Sequence, residues 1–331
     1  MNVASQAQAP APGGQARAQA NNSAPQALPQ RRRHWGRKVA PWLLLLPMVL
    51  MVMLALGYPL VRQTIMSFQE FGLAQQFGAP AEWAGFDNYA KILTDSYFWV
   101  VFVKSVLFCI WTAGITMVLG VGLAVLMLRL TKVVRAFVNT ALIIVWAMPA
   151  LASLTVWQWL VEPRSGLVNY FLSVIGLRSF EGFHWLGHNY WYFYLVASAI
   201  IIWQSLPLVT ITIYAALAQV SPDLLEAAQI DGASDAQQIM RIMLPIITPV
   251  IALIGVLQII WDLRVFTQIY VLQQAGTIAS ETNLLGTYVY KTGIAEGNYG
   301  VASALAMVIL LLTLLLTGRY LQMLYRQGGV E

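Results

Sequence analysis

The sequence predicts an all-α integral membrane protein with six transmembrane helices and both termini in the cytoplasm. Three observations carry this expectation. Only 10% of the 331 residues are charged and 59% are hydrophobic, whereas soluble domains carry about 25% charge. The charges leave six gaps of at least 20 residues, and about 20 apolar residues cross the hydrocarbon core. Lys and Arg are spread unequally between the two sides those gaps define.

The first 29 residues are rich in Ala, Gln and Pro and have no apolar period. Such a segment buries too little surface to offset its ordering entropy, so it reads as a disordered tail. Arg31, Arg32, Arg33, Arg37 and Lys38 complete this tail over residues 1–38. The next charge is Arg62. The gap is longer than the core of a cleaved signal peptide, about 7–15 residues, and predicts a retained span. The later gaps are 105–128, 136–161, 182–222, 242–261 and 297–318. The long third one in this series holds a helix from about Tyr190 to Leu217 and polar flanks with His184 and His188. A six-helix domain over 39–325 and a short tail over 326–331 result.

With the N-terminus inside, twelve Lys and Arg fall on the cytoplasmic side and seven outside. The 31–38 cluster and Arg129–Lys132–Arg135 weigh most, because no acid interrupts them. Two outer loops are long, about 63–98 and 162–190. Phe180, Phe183, Trp185 and the run Tyr190–Tyr194 border the second. Such rings fit the membrane–water boundary, or a contact surface for an extracytoplasmic partner.

One polar interruption is more specific. It contains Glu226-Ala227-Ala228, then Gly232, then Leu244-Pro245, between two spans on the cytoplasmic side. Ser221 stands at an N-cap position with Pro222 at N1 and Asp223 in the first turn. Gly232 permits a turn that a side chain resists. Ser234 and Gln237 have capping-box spacing. Residues 221–245 thus read as a stiff elbow of two capped helices, slim along Ala227 and Ala228, suited to enter a cleft on another protein.

This segment resembles the EAA coupling loop of permease subunits of bacterial ABC importers. Gly85-Phe86-Asp87-Asn88-Tyr89, Met148-Pro149 through Trp157-Gln158-Trp159-Leu160, Gly166-Leu167-Val168-Asn169 and Val265 through Leu272 resemble the carbohydrate branch of that family, the maltose- and glycerol-phosphate-type permeases. The likeness covers roughly residues 40–325. Where family members often continue with a Gly-Gly-Pro turn, this chain has Gln273-Gln274-Ala275-Gly276. The resemblance implies the ABC importer permease fold. It also implies that Glu226, Ala227, Ala228, Gly232, Leu244 and Pro245 couple to an ATPase. The implied partners are a second homologous permease, two ABC ATPase subunits, an extracytoplasmic sugar-binding protein and membrane lipid.

Other chemistry is missing from the sequence. No G-x-x-x-x-G-K-[ST], H-E-x-x-H or G-x-S-x-G occurs. The expectation is therefore a transport subunit without catalytic residues, metal or cofactor of its own, with ATP and Mg on the partner ATPases, and with no nucleic-acid partner. Gly120-Val121-Gly122 lies in an apolar span and reads as helix packing. His184 and His188 lack a carboxylate or thiolate neighbour in sequence and make a poor metal site.

Sugars bind through aromatic faces and a few polar groups in an apolar wall. Two span segments have these ingredients. One is Trp203-Gln204-Ser205-Leu206-Pro207-Leu208, where Pro207 favours a kink. The other places Gln258, Trp261 and Asp262 on one helix face. By resemblance to maltose-type permeases, Trp203, Gln204, Ser205, Leu208, Gln258, Trp261 and Asp262 line the substrate pocket. The competing reading makes Trp203 a packing or lipid-facing residue, has Gln204 and Ser205 join neighbouring helices, and makes Asp262 a marker of the outer interface. The expected function is import of a sugar, most simply an oligosaccharide. Alternatives are glycerol phosphate or a polyol as cargo, or an ion-coupled secondary transporter.

Overall fold

The computed structural model describes residues 35–277 and 279–328. The expectations for residues 1–34 and 329–331 lie outside the described residues. The chain divides into two compact units at Leu56–Gly57. The described part of the first is α1 (Trp35–Val52) and most of a π-helical turn, Met53–Gly57. Residues 35–38, assigned to the tail from sequence, are helical. Arg and Lys are good helix formers, so an apolar helix extends readily through them.

The second unit starts with α2 (Tyr58–Ser67) and a two-residue hairpin, β1 (Gln69–Glu70) against β2 (Glu82–Trp83), around the short α3 (Leu73–Gln76). The short α4 (Asp87–Thr94) follows. The Gly85–Tyr89 stretch clamps this corner. Asn88 donates to the Ser67 carbonyl at 3.0 Å and the Gln69 carbonyl at 2.9 Å, and the Tyr89 hydroxyl to Ser67 Oγ at 2.8 Å.

Next come α5 (Ser96–Arg129), α6 (Lys132–Ala147), α7 (Ala150–Leu160), α8 (Leu167–Val174) and α9 (Tyr190–Leu217). Asp95 caps α5 by accepting from the Tyr97 N–H at 2.8 Å. Asn189 caps α9 by accepting from the Trp191 and Tyr192 N–H groups. Pro207 sits inside α9 without ending it. Gly120 brings α5 against α9, since a Cβ there would lie 2.5 Å from Val209 Cγ1. Gly122 faces open space, so only one of the two glycines serves this packing. At the end of α5 the Arg135 guanidinium donates to the carbonyls of Met127, Leu128 and Leu130. A cation over unpaired C-terminal carbonyls is favourable.

The loop elements are α10 (Pro222–Ile230), α11 (Asp235–Gln238), a π-helical turn Ile239–Met243 and α12 (Leu244–Ile246). Then follow α13 (Thr248–Leu263), α14 (Thr267–Gln273), α15 (Ala279–Thr282), α16 (Leu285–Tyr290), a third π-helical turn Lys291–Ala295 and α17 (Tyr299–Gly328). Residues 326–328, assigned to the second tail, continue α17. Two of the π-helical turns lie just before a proline, Pro59 and Pro245. Proline has no N–H to close the regular ladder, and the chain widens there instead.

Among the described residues, five helical stretches are long and apolar enough to cross a membrane: Trp42–Ser67, Ser96–Arg129, Tyr190–Leu217, Thr248–Gln273 and Tyr299–Arg319. The expected span over 136–161 is different. Its helices α6 and α7 are bent by 102°. Pro149 is the reason, because it disfavours helical backbone at the preceding residue, and Met148 is extended with ψ 128°. With this bent pair counted as one, the spans number six.

Candidate functional site

Two polar regions stand out against the apolar helices. The first is the elbow at 221–245. Asp223 lies in the first turn of α10, and Pro222 takes an early position. The Ser221 hydroxyl makes no capping bond. At the other end Gly232 has φ +81°. Its N–H donates to the Gln229 carbonyl at 3.0 Å, and Ala233 N–H to the Ala228 carbonyl at 2.9 Å. This is a Schellman closure, with glycine at its left-handed position. The capping box forms as the spacing predicts: Ser234 N–H donates to Gln237 Oε1 at 2.8 Å, and Gln237 N–H to Ser234 Oγ at 3.4 Å.

Glu226, Ala227 and Gly232 are exposed, Ala228 is half-buried, and Leu224 and Ile230 present bare apolar side chains. Other side chains of the elbow are seated. Leu244 packs on a cluster that includes Met243, Ile247 and Ile254 with Ala124 of α5 and Val209, Ile213 and Leu217 of α9. Pro245 is exposed where the chain turns back. Leu244 sits at the root of the elbow, and Leu225 of α10 and Ile239 pack against the same cluster, while Glu226, Ala227 and Gly232 face outward. Arg129 and Asp235, 3.6 Å apart, tie the elbow to α5, but so exposed a pair contributes only ~0–1 kcal/mol.

The second region is a cavity of about 470 Å³ among α9, the end of α13 and the start of α14. It brings together four of the seven residues expected from sequence: Gln204, Ser205, Trp261 and Asp262. Trp261 is 49% exposed, so its ring is free to meet a ligand. Gln204 is a hub. Its amide donates to Ser153 Oγ at 2.5 Å, and its Oε1 accepts from Gln268 at 2.9 Å. These bonds join the bent pair's α7 to α9 and α14, whose break at Pro149 aims Ser153 inward.

The other three lie elsewhere. Trp203 packs edge-to-face on Trp157, with ring centroids 6.0 Å apart. Leu208 packs against the cluster at the root of the elbow. Gln258 is 1% exposed and donates to Asp262 Oδ1 at 2.8 Å. It holds the carboxylate from behind and does not line the cavity. Sequence reasoning did not select Phe266, Thr267 and Gln268 as lining residues, although they lie in a stretch already noted for its resemblance. The polar residues Arg264, Thr267 and Gln268 following an apolar helix were the available signal. The helix break at Arg264–Phe266 turns them toward Gln204.

His188 lies in an aromatic knot, its ring 4.7 Å from that of Phe183, while His184 is exposed beside Gly187 and Gly276. Among the described residues no group of three His, Cys, Asp or Glu side chains could hold a metal ion. The turn at Gln273–Gly276, where the family pattern is not kept, is closed by Gly276 with φ +103°.

Comparison with known proteins gives this geometry its context. The chain is 37% identical over 293 residues to the diacetylchitobiose uptake system permease protein of Streptomyces coelicolor, covering 88% of this chain and 89% of that one. It is 31% identical over 240 residues to the trehalose/maltose transport system permease protein of Thermococcus litoralis, covering 72% and 78%. In fold it is similar to a chain of a bacterial alginate ABC transporter solved in complex with an alginate pentasaccharide-bound periplasmic protein, with a TM-score of 0.74 and 22% identity, covering 88% of this chain and 98% of that one. Residues 116–326 match the model of the binding-protein-dependent transport system inner membrane component, and the chain belongs to that family.

Proposed function

We propose that this multi-pass inner-membrane permease subunit passes an oligosaccharide from an extracytoplasmic binding protein into the cytoplasm. A second, homologous permease completes the pore. Two ABC ATPase subunits, which carry the ATP and Mg, drive it through the elbow. The carrying observation is the cavity of about 470 Å³, with one exposed aromatic ring, two amides and two hydroxyls on a partly apolar wall. The substrates named for the Streptomyces and Thermococcus relatives, diacetylchitobiose and trehalose/maltose, support the sugar reading. An ion-coupled secondary transporter is set aside by the family.

In this reading the Trp261 ring stacks on the C–H face of a sugar. The Gln204 and Gln268 amides, Ser205 and Thr267 exchange hydrogen bonds with its hydroxyls. Asp262, held by Gln258, accepts from a further hydroxyl. Glu226, Ala227, Ala228 and Gly232 meet the ATPase. Motion of the elbow reaches α5 and α9 through Leu244 and its cluster, while Pro245 marks the pivot.

Uptake of labelled di- and trisaccharides by proteoliposomes holding the assembled transporter tests this reading. Trp261→Ala is expected to impair uptake without loss of assembly, and unchanged uptake kinetics would overturn the assignment. A second reading, glycerol phosphate as cargo, is favoured by one observation: Arg264 lines the same cavity. Under that reading Arg264→Gln abolishes uptake of the phosphorylated solute. Under the oligosaccharide reading, neutral sugar uptake is seen in the unaltered protein and glycerol phosphate does not compete.

A further inference from the structure

The segment between α7 and α9 carries a second surface, at the far end of α9 from the elbow. Helix α8 has two unlike faces. Val168 and Leu172 pack into the core with Phe180, Phe183 and Trp185. Asn169 fixes the helix in place. It is buried, donates to the Pro163 carbonyl at 3.1 Å and the Phe183 carbonyl at 2.9 Å, and accepts from Trp185 Nε1 at 2.6 Å. The other face presents Leu167, Tyr170, Phe171 and Val174, all exposed and spaced i, i+3, i+4 and i+7, and Ile175 and Leu177 extend it. Water is a poor solvent for so continuous an apolar stripe.

Two features say what covers it. The stripe begins seven residues after Leu160, the end of the bent apolar pair α6–α7, which as a pair is long and apolar enough for a membrane segment, so it starts within reach of lipid headgroups. Exposed arginines, Arg164 and Arg178, flank it at both ends, as suits a helix lying among phosphates. Beside its first turn is a cavity of about 370 Å³, with Trp159, Tyr170, Arg164, Ser165, Ser173 and Glu181 among its lining residues. Neither Arg164 nor Glu181 makes an ion pair among the described residues, although the Arg164 charge helps to lower the pKa of Glu162. An exposed guanidinium and an exposed carboxylate lining one small cavity match a headgroup with a phosphate and an ammonium.

We propose that α8 lies in the outer leaflet with its stripe among the acyl chains, and that the adjoining cavity receives a zwitterionic aminophospholipid headgroup, its phosphate toward Arg164 and its ammonium toward Glu181. The helix is thereby a lateral anchor for the outer rim of the transporter, whichever solute it carries.

The native chain has a single cysteine, Cys109, which is buried, so a spin label at Val174→Cys reports one site. The assembled transporter is reconstituted in vesicles of phosphatidylethanolamine and phosphatidylglycerol. The label is expected to collide more with oxygen than with a water-soluble nickel chelate, at a depth of about 5–10 Å below the phosphates. Free access of the chelate, or shielding that appears only when the binding protein is added, overturns the lipid assignment. Native mass spectrometry of the same complex tests the headgroup. Phosphatidylethanolamine is expected to be retained over phosphatidylglycerol, with the preference lost in Arg164→Gln and in Glu181→Gln. Equal retention of both lipids by the unaltered protein overturns the headgroup site. Retention of added oligosaccharide in its place would make the cavity a saccharide site.

Discussion

The elbow at 221–245 and the cavity around Gln204 are both polar islands in an apolar chain, but they are built by opposite means. The elbow is made by its own sequence. A proline starts α10, a left-handed glycine ends it, and a Ser–Gln box starts α11, each acting within four residues. The cavity is made by neighbours distant in the chain. Gln204 meets Ser153 across 51 positions and Gln268 across 64. In the proposed function the elbow takes a push, which needs local rigidity, and the cavity meets a solute, which needs walls from several helices that can part. The two should therefore fail differently when altered.

The largest expected effect is in the elbow. Gly232→Pro forces φ from +81° to about −65° and removes the N–H that closes α10. Substrate-stimulated ATP turnover should fall about 5–150-fold, the range of a coupling free energy of ~1–3 kcal/mol, while membrane insertion persists. Gly232→Asn, which tolerates the left-handed region, should keep most of the coupling. Equal loss in both variants would show that the turn's handedness is irrelevant. Glu226→Lys, which reverses an exposed charge on the outward face of α10, should uncouple without altering the fold. Normal stimulated turnover in this variant would remove Glu226 from the contact.

In the cavity, Trp261→Ala should reduce uptake about tenfold, equivalent to ~1.4 kcal/mol of lost contact. It should leave basal ATP turnover unchanged. This split, with turnover intact and transport impaired, is the converse of an elbow variant that disrupts ATP coupling, and it makes the comparison between the two regions breakable.

These constructions also explain what the sequence disclosed. The elbow was legible almost residue by residue, because caps and turns follow local rules. The helix Tyr190–Leu217 was legible from a long charge-free run, and the structure adds the Asn189 cap that fixes its start. The bend of 102° between α6 and α7 was hidden by a charge-free gap that counts length but not direction, although Met148-Pro149 stood in it. Gln204, Ser205, Trp261 and Asp262, four of the ten residues lining the cavity, were legible as polar or aromatic residues in spans. Gln258 and Asp262 share a helix face, but only packing decides that Gln258 is inward and that Asp262 reaches the cavity. Trp203 had the right chemistry and was taken by Trp157.

A smaller effect tests the support behind the cavity. Gln258→Leu leaves Asp262 Oδ1 without its donor, and a buried acceptor stripped of its partner costs about 1–3 kcal/mol. The midpoint of thermal unfolding in detergent should drop. Adding Asp262→Leu should recover most of the loss, since removing both partners is nearly neutral. If the double variant is less stable than the single one, Gln258 is not there to satisfy Asp262.

The smallest effect lies at the outer end, where one turn is held by a carboxylate as the elbow's second helix is held by Ser234 and Gln237. Glu162 Oε2 accepts from the N–H groups of Arg164 at 2.9 Å and Ser165 at 2.5 Å, and from the Ser165 hydroxyl at 2.8 Å. The Ser165 backbone bond foremost, then its hydroxyl and the Arg164 N–H, lower the Glu162 pKa below the ordinary carboxylate value. A carboxylate lowered in the folded state contributes stability above its unfolded pKa, and the contribution is lost as pH falls through the folded value. The turn at 162–165 should therefore stay closed near pH 5 and open only below the normal Glu range, about 4.3. Hydrogen exchange of the Ser165 amide, corrected for the intrinsic rate, should show protection that disappears on acidification in the native protein. In Glu162→Gln the protection should be weaker and flat with pH, because an amide oxygen accepts without charge. The Ser234 amide, which bonds to the uncharged Gln237 side chain, is the internal control. If both amides lose protection at the same pH, the cause is general acid unfolding and not the Glu162 carboxylate.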